Sequence, residues 1–220
     1  MTKHRSPKLR DLRVEAVASI ARDIRARTIV DVGCGEGRFA KRLLMLRPRP
    51  FVFGVDLEPS MIEPEDFHIR MLRSSAVCKA DVFLALRHLR DFDLALGVEV
   101  IEHFSQKQLT RFERLFFDQA LAKTWIVTTP NSECNIHLPR NGEPARRLRH
   151  VGHKFEFSQN QFGVWVSHIC KSFNLFAVCG GIGPNFGDAG QPTHLAVFFD
   201  DPKRAEKLPA KRRGLESFSP

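Results

Sequence analysis

The chain has 220 residues, 43% of them hydrophobic and 27% charged, which suits one mid-sized domain with a real core. No apolar run approaches the ~20 residues that span a bilayer, and the polar, basic start MTKHRSPKLRDLR is not a secretory signal. A formal charge of +9 and a pI of about 9.7 favour a polyanionic partner, nucleic acid before membrane.

Residues 1–12 read as a flexible basic lead-in. From Arg13 to Ile24, the spacing of Val14, Val17, Ala18 and Ile20 predicts an amphipathic helix. TIVDVGCGEG (28–37) is a β-branched run ending in glycines, so a buried strand and a tight loop. FAKRLLML (39–46) follows as a helix. FVFGVDLEPS (51–60) is a second strand closed by an acid, SAVCKAD (75–81) a third and LALGV (94–98) a fourth. Residues 105–122 carry Leu109, Phe112, Leu115 and Phe116 at helical spacing, and TWIVTTPN (124–131) is a fifth strand. Residues 132–157 hold several breakers and little periodicity, so they read as an insertion or lid. SQNQFGVWVSHICKSF (158–173) opens with a serine in N-cap position. LFAVCGG (175–181) and HLAVFF (194–199) form a hairpin, and residues 201–220 read as a charged, disordered tail. Strands alternating with helices predict an α/β domain over residues 13–200. Its sheet is mostly parallel, covered by helices on both faces, with a terminal antiparallel hairpin.

Cys34, Cys78, Cys134, Cys170 and Cys179 are scattered and form no C-x-x-C. They read as neutral thiols of a reducing cytoplasm, the expected location, rather than as a disulfide framework or zinc site.

Asp31-Val-Gly33-Cys-Gly35-Glu-Gly37 sits between a strand and a helix. Glycines there let the backbone approach a nucleoside closely, and the helix N-terminus points free N–H groups at it. Asp56, ending the next strand, can accept hydrogen bonds from both ribose hydroxyls. G-x-G-x-x-G fails because its last position is Arg38, which disfavours a nicotinamide dinucleotide. The competing structural reading makes Asp31, Asp56 and Asp81 ordinary turn acids. The pattern D-x-G-x-G-x-G resembles motif I of the class I methyltransferases. That resemblance implies a Rossmann-like fold and S-adenosylmethionine as cofactor. It also places Asp31 near the methionine amino group, Gly33 and Gly35 along the cofactor, and Asp81 at adenine.

GVEVIEHF (97–104) follows the fourth strand. A helical turn starting there would aim Glu99, Glu102 and His103 the same way, as i, i+3 and i+4. Two carboxylates and an imidazole outside the carboxyl ends of parallel strands suit Mg²⁺, Mn²⁺ or Co²⁺ better than structural zinc. A solvated helix start with acids near its N-terminus has the same spacing. His150-Val-Gly-His153-Lys-Phe-Glu156-Phe could add a fourth ligand from the lid.

Glu-Val-Ile-Glu-His (99–103), Thr-Pro-Asn (129–131) and His-Lys-Phe-Glu-Phe (153–157) together resemble the RNA 3′-terminal 2′-O-methyltransferases. The resemblance covers roughly residues 13–200 and extends to Gly190-Gln-Pro-Thr-His-Leu-Ala-Val-Phe. It departs at Cys134, at Gly152 and at Phe157, where that family usually has tyrosine, aspartate and tryptophan. It implies that Glu99, Glu102, His103 and His153 hold one divalent metal and form the catalytic centre. The implied substrate is RNA with a free 2′,3′-diol, whose two hydroxyls can chelate the same ion while a 3′-phosphate cannot. His103 or His153 is expected to take the hydroxyl proton as well as ligate. Arg140, Arg146, Arg147, Arg149 and Lys154 are candidates for phosphate contacts, or else a solvated charged loop. The protein is expected to act as a monomer away from membranes. Two further readings stay open: a methyltransferase for small acceptors, which needs neither His153 nor a basic surface, and a non-catalytic RNA-binding module of the same fold.

Overall fold

Among the described residues, eight strands form one sheet: β1 (Thr28–Val32), β2 (Phe51–Asp56), β3 (Ser75–Lys79), β4 (Leu94–Val98), β5 (Thr124–Pro130), β6 (Phe176–Ile182), β7 (Thr193–Phe199) and β8 (Glu216–Phe218). The computed structural model describes residues 8–58, 75–138, 148–208 and 216–219. The spatial order is β3-β2-β1-β4-β5-β7-β6-β8, so the chain winds outwards from β1 and then returns to its other side with β4. β1 to β5 pair in parallel, whereas β7 runs antiparallel to both β5 and β6. A Rossmann-like, mostly parallel sheet with a terminal antiparallel hairpin is thus the observed class.

Alternate residues of the central strands feed two separate cores, as the two-residue period of a pleated strand requires. Val30, Ala95, Trp125, Val127 and Phe198 face one core; Ile29, Leu94, Leu96, Ile126 and Val197 face the other. The second core is closed by α1 (Leu9–Asp23) and α2 (Arg38–Leu43). The first is closed by α3 (Val82–Ala85), α4 (Gln106–Phe116) and α5 (Gln159–Phe173). Ser105 and Ser158 each start their helix with a capping box, completed by Gln108 and Gln161 three residues on. Phe117 is the hub of the first core. Its ring meets Phe116, Trp125, Trp165, Phe173 and Phe198 at 4.9–6.3 Å.

Three boundaries differ from the sequence expectation. α1 begins at Leu9, inside the expected lead-in, whose first seven residues lie outside the described part. α4 stops at Phe116 rather than at 122, because Asp118 bends the chain: its carboxylate accepts from the Ala120 N–H at 2.9 Å and its carbonyl from the Leu121 N–H at 2.8 Å. The expected disordered tail is ordered in two places. Asp201 caps a 3₁₀ turn over Pro202–Lys207, and β8 pairs with β6, covering what would otherwise be an open sheet edge. All five cysteines are free thiols, and burial pushes Cys34 up to about 12 and Cys170 to about 11. Among the described residues, no helix is long and apolar enough to cross a membrane.

Phe117→Ala should lower stability by about 3–5 kcal/mol, because the ring has no solvent exposure and its neighbours cannot collapse into the space. Urea denaturation of the variant and the parent measures the difference.

Candidate active site

The register aligns Val32 with Val55 and Gly97, so the loops after β1, β2 and β4 open at one end of the sheet. They flank the point where the strand order reverses, the usual crevice of such sheets. The glycine loop is pinned to β2: the Gly33 N–H donates to the Val55 carbonyl at 2.8 Å and the Cys34 N–H at 3.2 Å. Gly33 and Gly35 both have positive φ, at 76° and 48°. A Cβ on Gly33 would lie 2.6 Å from Cγ2 of Val100, beside the acidic turn after β4. A Cβ on Gly35 would meet nothing within 4 Å. The first glycine therefore lets two loops touch, and the second leaves open space for a ligand to approach the backbone.

Asp56 accepts from the Gly35 N–H at 2.9 Å and from the Glu58 N–H at 3.0 Å. Asp81 caps α3, one carboxylate oxygen accepting from the N–H groups of Phe83 and Leu84. Asp31 is only 1% exposed, and its Oδ2 has no hydrogen-bond partner among the described residues. Burial, and then the charge of Asp56, pushes its carboxyl up to about 7. An orphaned carboxylate oxygen beside an open glycine loop fits the ammonium of a methionine moiety.

The acidic turn is tighter than a helical start. Glu99 is in the left-handed region at φ 56°, a conformation that costs a non-glycine residue roughly 1–3 kcal/mol. Ile101–His103 then forms a 3₁₀ turn. Glu102 is wholly buried; its Oε2 accepts from Thr129 Oγ1 at 3.1 Å, and its Oε1 has no partner among the described residues. Burial, followed by the nearby charge of Glu99, raises the Glu102 pKa well above the ordinary carboxylate value. His103 Nδ1 donates to the Gly152 carbonyl at 3.2 Å; a carbonyl only accepts, so the proton sits on Nδ1 and the Nε2 lone pair is exposed to the crevice. Burial lowers the pKa of His103, with His153 adding to the effect. His153 Nδ1 meets Glu156 Oε1 at 2.6 Å, and its ring stands edge-on to that of His103 at 4.9 Å.

One donor atom from each of Glu102, His103 and His153 lies within 4.8 Å of the others. Glu99 does not join this set. Its Oε2 accepts from Arg13 Nη1 at 2.6 Å and its Oε1 from Thr128 Oγ1 at 3.0 Å. Of the four expected ligands, the structure brings three together and turns the fourth to a cation from α1.

A family model described as a methyltransferase domain matches residues 30–117. The chain is 28% identical to the small RNA 2′-O-methyltransferase of Arabidopsis thaliana over 92% of its own length and 24% of that protein's. It is 26% identical to the mouse protein of the same name, over 87% of this chain and 51% of that one. The structure of the small RNA methyltransferase HEN1 superposes with a TM-score of 0.78 at 27% identity, over 90% of this chain and 26% of that chain. The methyltransferase domain of bacterial CtHen1-CN superposes with a TM-score of 0.75 at 25% identity, over 87% of this chain and 100% of that one.

In sequence and in fold the chain resembles the small RNA 2′-O-methyltransferases. It spans between a quarter and about half of the length of these curated relatives.

Several site residues escaped the sequence reading. Glu156 orients His153 and also accepts from Asn135 Nδ2 and the Arg149 N–H, each at 2.5 Å. Its only sequence signal is an acid three residues after a histidine. Arg149, expected to reach phosphate, instead points inwards. It donates to Asn135 Oδ1 at 3.1 Å and to the carbonyls of Asn131 and Pro192 at 3.1 and 2.8 Å, which ties the lid to β5 and to the loop before β7. Lys154 is exposed and its backbone N–H donates to the Glu102 carbonyl at 2.7 Å. Arg140, Arg146 and Arg147 lie outside the described residues. Arg13 and Asn135 carry no local sequence signal, since Glu99 lies 86 positions from the first and Glu156 lies 21 from the second.

Glu156→Ala would strand three donors in a buried place, at about 1–3 kcal/mol per group left unpaired. A lower urea midpoint with an unchanged m-value is the expected result.

Proposed function

We propose that this chain transfers a methyl group from S-adenosylmethionine to the 2′-hydroxyl of the 3′-terminal nucleotide of RNA, with the help of one divalent cation. The observation that carries the reading is the convergence of Glu102, His103 and His153 on one point, next to a glycine loop that Val100 touches through Gly33. The names of the relatives support RNA and the 2′-oxygen.

The residues fit both groups. Asp31 would hold the methionine ammonium, Gly33 and Gly35 would let the cofactor lie against the backbone, and Asp56 and Asp81 would meet the ribose and adenine. Bound S-adenosylmethionine supplies an electrophilic methyl on a sulfonium. Glu102 Oε1 and the two Nε2 atoms would hold Mn²⁺, Mg²⁺ or Co²⁺, with Glu99 adding charge from outside the set. Such a cation supplies a lower pKa to a hydroxyl it binds. Glu156 and the Gly152 carbonyl each accept at Nδ1 of one imidazole, which aims both rings. Each ring has one lone pair free, so a histidine that ligates cannot also take the hydroxyl proton; the two roles expected of one residue exclude each other. Positioning of sulfonium and oxygen by two loops in mutual contact does much of the remaining work.

Methyl transfer from labelled S-adenosylmethionine, assayed across Mn²⁺, Mg²⁺, Co²⁺ and EDTA, tests the proposal. RNA ending in a 2′,3′-diol should be methylated with metal, while a 3′-phosphate end and small hydroxyl acceptors should not. Glu102→Ala should lose at least about 100-fold in kcat/KM. Full activity of that variant in EDTA would overturn the metal role, and activity on small acceptors alone would overturn the substrate.

The pKa of Asp31 gives a second test. Its carboxyl must ionise to pair with an ammonium, so below about 7 each binding event has to expel a proton. Calorimetry should show S-adenosylmethionine affinity rising by about tenfold between roughly pH 5.5 and 7, with proton release in that window. Asp31→Asn should bind more weakly and lose the pH dependence.

A further inference from the structure

The first turns of α5 stand between two cavities. One, of about 1240 Å³, lies among the start of α4, the segment after His153 and α5. Its walls present the rings of Phe104, Phe155, Phe157 and Trp165, with Lys154 and His168 also lining it. Phe104 directly follows His103, and Lys154 and Phe155 follow His153, so the two segments that bear the clustered imidazoles also build this cavity. It contains two acids, and both are committed. Glu113 accepts from Trp165 Nε1 at 2.7 Å, and Glu156 is saturated by the three donors described above.

The other cavity, of about 790 Å³, lies between α5, β6 and the loop before β7. No acid or permanently charged base lines it. Five amides line it: Asn131, Gln159 and Gln191 already donate to backbone carbonyls at 2.7–3.0 Å, while Asn160 and Asn185 add further amide groups and Ser167 a hydroxyl. His194, stacked on Phe162 at 4.5 Å, is held neutral, since burial pushes its pKa down to about 4. Asn160 and Val164, one helical turn apart, line both cavities, and Val164 is 64% exposed. The two cavities are therefore joined across the outer face of α5 into one groove, whose first part is lined by the residues that directly follow His103 and His153.

The part-buried rings of Phe104, Phe155 and Phe157, a lysine, the amides of Asn160 and Asn185 and no uncommitted carboxylate suit unpaired nucleobases on a phosphate backbone, because bases stack on aromatic rings and hydrogen-bond to amides at their edges. A purely apolar partner helix would cover the amides of Asn160 and Asn185 and the Ser167 hydroxyl without offering them a partner. We infer that this groove receives the unpaired RNA segment just upstream of the terminal ribose, so that the strand leaves the site across Asn160 and Val164. The inference rests on the RNA reading of the active site, and binding can be measured separately from methyl transfer.

The test is fluorescence anisotropy of a short single-stranded RNA on the full chain, with EDTA present, comparing Val164→Glu and Val164→Lys with the parent. Position 164 is on an exposed helix face, so both variants should keep the parental unfolding midpoint. The glutamate should weaken RNA binding by about tenfold through repulsion of phosphates, and the lysine should leave it equal or tighter. Parental affinity in Val164→Glu would overturn the groove. Equal weakening by both charges would also overturn it, since that is the signature of an apolar partner surface. If the charge contrast holds but the parent methylates no RNA, the groove stands and the proposed activity falls.

Discussion

The site is organised by the burial of one carboxyl group. Glu102 has no solvent exposure, sits near a second acid and keeps one oxygen without a partner among the described residues. Taking a carboxylate out of water costs several kcal/mol unless charge or hydrogen bonds compensate it. The surrounding structure compensates only in part. Thr129 donates to one oxygen, Arg13 pairs with the neighbouring Glu99 rather than with Glu102, and two imidazoles each bring a ring nitrogen to within 4.8 Å of the group. An arrangement of three such groups around one position is electrostatically poor as a structural device and suited to a cation, and this packing is what motivates the proposed metal.

That constraint explains the lid. His153 comes from a segment distant in sequence and has to be held with its Nε2 facing inwards. Glu156 sets the ring, Asn135 and the Arg149 backbone set Glu156, and the Arg149 guanidinium bridges to β5 and to the loop before β7. The Lys154 N–H on the Glu102 carbonyl closes the circuit between lid and turn. Each of these bonds is modest by itself; in a buried network the cost of leaving any member unpaired is what makes the geometry rigid. The cofactor side is joined to the same unit through the contact of Gly33 with Val100, so the two halves of the proposed reaction centre share one backbone framework.

The two-sided sheet makes this precision affordable to a small domain. Phe117 and its ring of aromatic neighbours fix α5 against the strands, and α5 in turn carries the outer wall of the groove over Val164. β8 covers the edge at β6, so a stretch rich in charge still contributes to the sheet.

Local chemistry was legible in the amino-acid order itself. β-branched runs gave the strands, apolar spacing gave α4, a serine in N-cap position gave the start of α5, and the glycine spacing together with Glu-Val-Ile-Glu-His pointed to the crevice. These signals are short-range, set by φ/ψ preference and by which face of an element a side chain takes. What only the tertiary structure decided depends on contacts between distant segments. Arg13 takes Glu99 out of the cluster across 86 positions, Glu156 and Asn135 fix His153, Arg149 turns inwards, and the tail becomes a strand. Spacing along a chain says which groups can share a face; it carries no information about which charge from elsewhere will be desolvated beside them, and that is what chose among the candidates here.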